Sequence, residues 1–121
     1  MEIKAHQINK INVAEVISDE IIISNWQDGL DLLGSLYYQE FDKIVLQEKN
    51  ITPDFFDLKT GIAGEILQKC ANFRMNMAIV GDFSKYKSKS LKAFIFESNK
   101  MEQINFVGNL TDALNSAIKN N

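Results

Sequence analysis

The sequence predicts an α/β fold with a mixed, mostly parallel sheet of four to five strands. Three segments carry this prediction: the apolar strand Ile44-Val45-Leu46, a loop and long helix between Glu48 and Phe73, and the apolar strand Met77 to Val80. A strand, a helical connection and a second strand form a crossover unit, whose two strands run parallel. Strands that are apolar on both faces then need helices to cover them.

An N-terminal β-hairpin is expected before this unit. Residues 2–10 and 12–17 show the partial alternation of strands, and Asn9 to Asn12 provides a turn because Asn tolerates the left-handed region. The apolar run Ile21 to Ile23 is either a further strand or an extended connection.

The first helix is predicted to begin at Ser24, which with Gln27 suits a capping box. The helical period predicts a buried stripe made of Trp26, Leu30, Leu33 and Tyr37, widened by Leu32 and Leu36. We interpret the aromatic side chains, including Tyr38 and the phenylalanines, as core. Gly29 and Gly34 are interpreted as points of close approach to a neighbouring element.

Cap signals predict where the remaining helices begin. Thr52-Pro53 opens the second helix, because Thr caps well and Pro needs no N–H partner at the first position. Its apolar stripe consists of Ile62, Ile66, Cys70 and Phe73, with Ala63 and Leu67. Ser88 or Ser90 caps a third helix, and residues 104–107 form the last strand. Asn109 begins a final helix with Leu110, Ala113, Leu114, Ala117 and Ile118.

The composition indicates one domain over residues 1–121. The chain is 45% apolar and 24% charged, with one proline and six glycines, so no linker or low-complexity tract is present. A single cysteine excludes an internal disulfide framework. Apolar runs such as Met77 to Val80 are far too short to span a bilayer. We therefore expect a reducing cytoplasm as the location and no membrane partner.

Charge is unevenly distributed along the chain. Net charge is −3, yet residues 11–65 hold 11 Asp/Glu and 3 Lys/Arg, whereas residues 66–121 hold 4 and 8. An uneven distribution of charge creates an electric field that can orient a protein partner or favour a homodimer. An uneven solvated surface is the simpler interpretation. Nucleic-acid binding is not expected, since it usually needs a basic domain.

Two loops are predicted at the edge where ligands of parallel sheets gather, beyond the carboxyl ends of the strands. The candidate binding residues of the first loop, which follows Leu46, are Thr52, Asp54, Asp57, Thr60 and Gly61. The candidates of the second loop, which follows Val80, are Gly81, Asp82, Ser84, Lys85, Lys87, Lys89 and Ser90.

The second loop has the composition of an anion site. Lys85, Lys87 and Lys89 alternate with serines before a helix N-terminus, where free N–H groups and the helix dipole favour anions. The spacing is not that of a nucleoside-triphosphate loop. The simpler interpretation is a solvated lysine loop with a serine cap. The carboxylates of the first loop, Asp54 and Asp57, are explained by the dipole of the helix that they begin.

No catalytic constellation, metal site or cofactor site is expected. His6, the single histidine, lies on a predicted hairpin strand. Cys70 lies on an apolar helix stripe, which favours an inert core thiol over a nucleophile.

Several segments spread along the chain have a specific pattern: 28–34 (DGLDLLG), 52–69 (TPDFFDLKTGIAGEILQK), 78–84 (AIVGDFS), Lys89-Ser90-Leu91, Phe94-Ile95 and Glu97-Ser98-Asn99. Through these segments the chain resembles, over nearly its full length, the bacterial family called domain of unknown function 4180. The family has no established activity, so this resemblance bears on the fold more than on the function.

Phe56 to Ile62 also resembles, more weakly, the STAS domain, the module of anti-sigma factor antagonists. That resemblance implies a STAS-like sandwich and a regulatory role. In the STAS module a serine-glycine pair opens the second helix and is phosphorylated by a partner kinase, and here Thr60-Gly61 takes its place. Because threonine replaces serine and the preceding segment is one residue longer, we do not predict phosphorylation.

The sequence therefore predicts a non-catalytic regulatory or protein-interaction module that binds a protein partner through Thr52 to Gly61 and Gly81 to Ser90. The alternative is a protein that binds a small anion or phosphometabolite at Gly81 to Ser90, with Asp82 as the nearest base. A third possibility is a homodimer that pairs through the edges of the N-terminal hairpin or through oppositely charged halves.

Overall fold

The structure, a computed structural model, describes residues 1–101 and 103–116. Its strands are β1 (Glu2–Ile8), β2 (Ile11–Ile17), β3 (Lys43–Gln47), β4 (Asn76–Val80) and β5 (Ile104–Val107). Its α-helices are α1 (Trp26–Tyr38), α2 (Ile62–Phe73), α3 (Lys89–Met101) and α4 (Leu110–Asn115). Three short 3-10 turns, Glu48–Asn50, Pro53–Phe56 and Leu58–Thr60, lie between β3 and α2.

The five strands form one mixed sheet in the order β1-β2-β3-β4-β5. β1 and β2 are antiparallel, and each later strand runs parallel to its neighbour. The hairpin turns at Asn9 and Lys10, whose φ values are 50° and 68°. This confirms the predicted α/β fold, with its N-terminal hairpin followed by alternating helices and strands.

Apolar residues cover both faces of the sheet. One core contains α1, α2 and α3 residues packed against inward side chains such as Ile44 and Met77. On the other face, Ala113 of α4 packs against Val45 and Ala78. β3 and β4 are therefore buried on both sides, as the apolar runs Ile44 to Leu46 and Met77 to Val80 predict.

The start and buried face of α1 differ from the prediction. Asn25, and not Ser24, is the cap, and its side chain accepts a hydrogen bond from the Asp28 N–H at 2.9 Å. The buried positions are Gly29, Leu32, Leu33 and Leu36. This face centres on Gly29 because the Ile66 side chain of α2 packs directly against it.

Several aromatic side chains predicted to be core are exposed instead. Tyr37 is 50% exposed, Tyr38 is 85% exposed and Phe96 is 60% exposed. The two tyrosines lie at the end of α1 and make an edge contact with each other, with ring centroids 6.0 Å apart. The helical period does not predict the exposure of the two tyrosines, because the buried stripe of α1 is offset from them around the helix.

The predicted start of the second helix was wrong. Thr52-Pro53 begins only the 3-10 turn Pro53–Phe56, and α2 starts at Ile62. Gly61, with a φ of 79°, separates the turns from α2 because its left-handed conformation interrupts helical hydrogen bonding.

The other boundaries follow their signals. Ser88 Oγ accepts a hydrogen bond from the Leu91 N–H at 3.2 Å and so caps α3, while Asn109 caps α4. Ile21 to Ile23 is an extended connection with a single parallel bridge between Ile23 and Ile51. The predicted positions Ala117 and Ile118 lie outside the described residues. Among the helices described, none is long and apolar enough to cross a membrane.

Candidate functional site

The two loops at the carboxyl edge of the parallel strands meet at Glu48, the first residue after β3. The Tyr86 hydroxyl, from the loop after β4, donates a hydrogen bond to Glu48 Oε2. Lys85 Nζ lies 2.8 Å from the same oxygen. The Glu48 side chain is only 16% exposed, so both partners contact a largely buried carboxylate. Both loops thus lie at the same edge of the sheet, as predicted, and they contact each other there at Glu48.

Gly81 makes room for this carboxylate. A Cβ atom at Gly81 would lie 2.6 Å from Glu48 Oε1 and 2.8 Å from Glu48 Cβ, closer than side-chain carbons approach other atoms. The Gly81 N–H also donates to the Val107 carbonyl at 3.0 Å, which extends the pairing of β4 with β5. Glycine is therefore required here for close approach of a side chain, and not for an unusual φ.

An aromatic cluster, which consists of Phe55, Phe56, Phe83, Tyr86 and Phe106, holds the second loop against the first. The Tyr86 ring stacks on Phe56 with centroids 4.9 Å apart and an interplanar angle of 16°. Phe83 packs edge-on against Phe106 of β5 at 5.2 Å. The Tyr86 ring is packed on the 3-10 turn that contains Phe56. This packing fixes the position of the Tyr86 hydroxyl.

These contacts border an open groove of about 440 Å³, which we call the carboxyl-edge groove. Its lining residues are Ile21, Glu48, Lys49, Ile51, Pro53, Phe56, Lys85 and Tyr86. Apolar side chains form most of its floor, and Ile21 at its rim is 50% exposed. The groove thus offers an apolar surface with one anchored carboxylate and two lysines.

Burial controls the protonation of the tyrosine in this groove. Desolvation raises the pKa of Tyr86 well above its usual value of 10.0, and the hydrogen bond to Glu48 and the negative charge of Glu48 raise it further. Tyr86 therefore keeps its proton at neutral pH and acts as the donor to the Glu48 carboxylate.

The candidate residues of the first loop build the turns that carry the groove and do not line it. Thr60 Oγ1 lies 2.7 Å from the Asp54 carbonyl and 2.9 Å from the Asp57 carbonyl, and it accepts from the Ile62 N–H at 3.3 Å. Thr52 Oγ1 accepts from the Asp54 N–H at 3.3 Å. These side chains are occupied by local hydrogen bonds.

The last two candidates of the first loop also serve the backbone. Asp57 Oδ1 accepts from the Lys59 N–H at 3.2 Å and caps the third 3-10 turn. Gly61 is the left-handed residue before α2. The groove is lined by the neighbours of these residues, Ile51, Pro53 and Phe56.

Among the second-loop candidates, Lys85 lines the groove and Gly81 shapes it. Asp82 accepts hydrogen bonds from the hydroxyl of Ser84 at 2.6 Å and from its N–H at 3.1 Å. These two bonds, more than the nearby Lys85, lower the pKa of Asp82. The remaining candidates are exposed and lie beside or within the first turn of α3: Lys87, Lys89 and Ser90.

Sequence analysis singled out neither the carboxylate nor the rings of the groove. Glu48 follows an unbroken apolar strand directly, which is a signal for a residue at the ligand-binding edge. A second signal is an apolar residue at a position where solvated side chains are usual. Such residues are Phe55-Phe56 within a polar loop and Ile21 in a short connection. Tyr86 has no comparable signal, because its role depends on where the loop folds.

The cysteine and the histidine lie away from the groove. Cys70 on α2 is buried, and burial raises the pKa of its thiol to about 12, as an inert core thiol requires. His6 Nε2 on β1 lies 2.9 Å from Glu15 Oε1 on β2. Within residues 1–101 and 103–116, no three His, Cys, Asp or Glu side chains group as metal ligands would.

Comparison with known proteins identifies one family. The family model described as Domain of unknown function (DUF4180) matches residues 8–116, which is 109 of the 121 residues. No curated protein matches the chain. The STAS-like resemblance gains no support from these comparisons and stays a prediction.

Proposed function

We propose that this chain, which belongs to the DUF4180 family, is a non-catalytic regulatory or protein-interaction module of the bacterial cytoplasm. We take the carboxyl-edge groove as its recognition surface. The observation that carries the proposal is the junction of the two loops, in which Tyr86 stacks on Phe56 and hydrogen-bonds Glu48. The groove is thereby held open by ordered side chains before any partner arrives, which lowers the entropic cost of binding.

The lining favours a protein partner that inserts an apolar side chain. Protein interfaces combine an apolar centre with a polar rim, and aromatic residues contribute strongly at their centres. Here Phe56 and Tyr86 border the floor, Ile21 and Pro53 lie at the rim, and Lys85 adds charge. Ile21 is exposed and is not one of the buried core residues. A partner that covers it would therefore remove apolar surface from water.

The chemistry of the groove favours recognition over catalysis. Glu48 Oε2 accepts from Tyr86 and pairs with Lys85, so this oxygen is already engaged. Its Oε1 packs against Gly81, where a Cβ atom would lie only 2.6 Å from it. A general base needs a lone pair directed at the substrate proton. The buried thiol of Cys70 lies in the core, where a substrate has no access.

The alternative, a small-anion or phosphometabolite site at Gly81 to Ser90, has one supporting feature. Lys87 and Lys89 are exposed at the N-terminus of α3, where an anion is favoured. Two further donors of this loop are occupied: Lys85 by Glu48, and the hydroxyl of Ser84 by Asp82. Thermal melts with inorganic phosphate test this alternative, since a hundredfold excess over Kd adds about 2.7 kcal/mol of stability.

Affinity capture with the full chain tests the protein-interaction proposal. Wild-type protein is compared with Ile21→Glu, which places a charge on the groove rim. The matched control is Tyr38→Glu, which places the same charge on a side chain that is 85% exposed at the end of α1. We expect a stoichiometric protein partner with wild type and the control, and at least a tenfold loss with Ile21→Glu. Equal recovery with both variants, or stabilisation by phosphate with no captured protein, contradicts the proposal.

A further inference from the structure

The two edges of the sheet are not equivalent. At β5, Asn99 of α3 accepts from the Phe106 N–H through Oδ1 at 2.7 Å and donates to the Phe106 carbonyl through Nδ2 at 3.3 Å. This side chain makes the hydrogen bonds that a further strand would make. At β1 the partner on one side is β2, and no residue within the described ranges pairs with its other side.

The hairpin geometry shows which backbone groups face this open edge. Asn9 and Lys10 both have positive φ, so the turn is a two-residue turn closed by the pair Ile8 and Ile11. The closing pair of such a turn is hydrogen-bonded, and bonded and non-bonded pairs then alternate along the strands. His6, Lys4 and Glu2 therefore bond to β2. The N–H and C=O groups that point outward belong to Ile3, Ala5 and Gln7.

We propose that β1 pairs antiparallel with β1 of a second copy of this chain, around a two-fold axis at Ala5. In this register Ala5 faces Ala5 of the second copy, and Ile3 faces Gln7 of the second copy on either side of the axis. All outward groups of both strands are then paired, in about six hydrogen bonds, two for each facing pair. The two five-stranded sheets become one continuous sheet.

Charge and strand length select this register among the two-fold alternatives. An axis at Lys4 would oppose the charge of Lys4 to itself. An axis at His6 would place Ile3 opposite Asn9 in the turn of the second copy and leave the outward groups of Ile3 unpaired. The axis at Ala5 places Lys4 opposite His6 of the second copy. Glu15 lies 2.9 Å from His6 and is the cross-strand partner of Lys4 on β2, so a carboxylate of each copy lies beside each pairing of Lys4 with His6. A two-fold axis at Ile3 or at Gln7 would shift the two β1 strands along each other, so some of the outward N–H and C=O groups would have no partner.

Asn99 occupies the β5 edge at Phe106, and this favours a dimer formed through β1 over an open chain of subunits. Head-to-tail pairing of β1 with β5 would require displacement of Asn99 from both backbone groups of Phe106. Self-pairing of β1 uses the same strand on both copies, and the remaining edge, β5, is blocked at Phe106 by Asn99, so assembly is expected to stop at two chains. This inference is independent of the carboxyl-edge groove.

Sedimentation equilibrium of the untagged full chain tests the dimer. Wild type is expected at about 27.6 kDa, twice the chain mass of 13.8 kDa. Ala5→Pro removes an N–H that faces the open edge, which edge strands tolerate, and is expected to give the mass of one chain. Ala5→Thr keeps the N–H and is expected to remain dimeric. Circular dichroism checks that both variants fold.

Hydrogen exchange of wild type gives a second readout that needs no variant. At high protein concentration the amides of Ile3, Ala5 and Gln7 are expected to be protected, and dilution is expected to release them. The amides of Lys4 and His6, bonded to β2, should stay protected throughout. A wild-type monomer in which Ile3, Ala5 and Gln7 exchange freely at every concentration overturns the proposal. A dimer that persists in folded Ala5→Pro also overturns it.

Discussion

Tyr86 and Glu48 are 38 residues apart in the chain, yet the Tyr86 hydroxyl donates a hydrogen bond to the Glu48 carboxylate. The bond joins loops that follow neighbouring parallel strands, so it depends on the register of β3 and β4. In that register Gln47 is opposite Val80, which places the residues that follow them, Glu48 and Gly81, side by side. The shape of the carboxyl-edge groove is therefore a consequence of strand pairing.

Replacing Tyr86 by Phe should weaken the fold while leaving the aromatic cluster intact. The ring still stacks on Phe56, but the largely buried Glu48 carboxylate loses a donor. We expect a loss of about 1–2 kcal/mol in the free energy of unfolding, measured by urea denaturation. Tyr38→Phe, at an exposed tyrosine, serves as the control and should change stability little. Equal stabilities of wild type and Tyr86→Phe would show that water replaces the lost hydroxyl.

The stability of the wild-type protein should fall at alkaline pH because of the same tyrosine. The pKa of Tyr86 is raised in the folded state above its ordinary value of 10.0, mainly by desolvation and further by Glu48. The unfolded chain releases this proton at lower pH than the folded chain does. The stabilisation is thus fully present below about pH 10 and is lost as pH rises toward the folded-state pKa.

Urea titrations between about pH 8 and about pH 11 measure this dependence. The difference in stability between wild type and Tyr86→Phe should shrink as pH rises above about 10, because only wild type carries the titrating hydroxyl. Tyr38→Phe should follow the wild-type curve. A difference that stays constant over the whole range would rule out a raised Tyr86 pKa.

Gly81→Ala should destabilise the protein by about 1–3 kcal/mol. The added methyl group would lie 2.6 Å from Glu48 Oε1 and 3.2 Å from the Phe83 ring, so Glu48 must move away from Tyr86 and Lys85. Gly64→Ala is the matched control, since nothing lies within 4 Å of a Cβ atom there and Gly64 is an exposed position within α2. The control should gain about 0.5–1 kcal/mol from helix propensity. Thermal denaturation compares them, and similar melting temperatures would contradict the packing argument.

The strands are predictable from sequence, whereas the groove is only partly so. Ile44 to Leu46 and Met77 to Val80 are apolar without interruption, and that pattern directly reflects burial on both faces. The position of the two loops at one edge then follows from the parallel pairing. The identity of the side chains that meet there depends on the loop conformation, and a stack such as Phe56 on Tyr86 joins residues with no shared local pattern.

The errors in the helices also have physical reasons. The buried face of α1 is displaced from the predicted stripe because Gly29 accepts the Ile66 side chain, and this complementarity involves a residue far along the chain. The start of α2 is shifted because Gly61 adopts a left-handed conformation. Thr52-Pro53 is a sound initiation signal, but it starts a short 3-10 turn as readily as an α-helix.

Asn99→Ala should both destabilise the protein and change its self-association. The substitution leaves the N–H and carbonyl of Phe106 without the side chain that pairs with them, which should cost about 1–3 kcal/mol. The freed β5 edge then becomes available to other strands, so the mass measured by sedimentation should grow with concentration beyond that of wild type.

Asn72→Ala is the control, because Asn72 is exposed on α2 and bonds only to the Gln68 side chain at 3.2 Å in the described chain. If Asn99→Ala loses stability but keeps the wild-type mass at all concentrations, Asn99 stabilises β5 without guarding its edge. In that case the preference for β1 pairing must come from β1 alone, since strand pairing at an open edge requires only unpaired backbone groups in a suitable register.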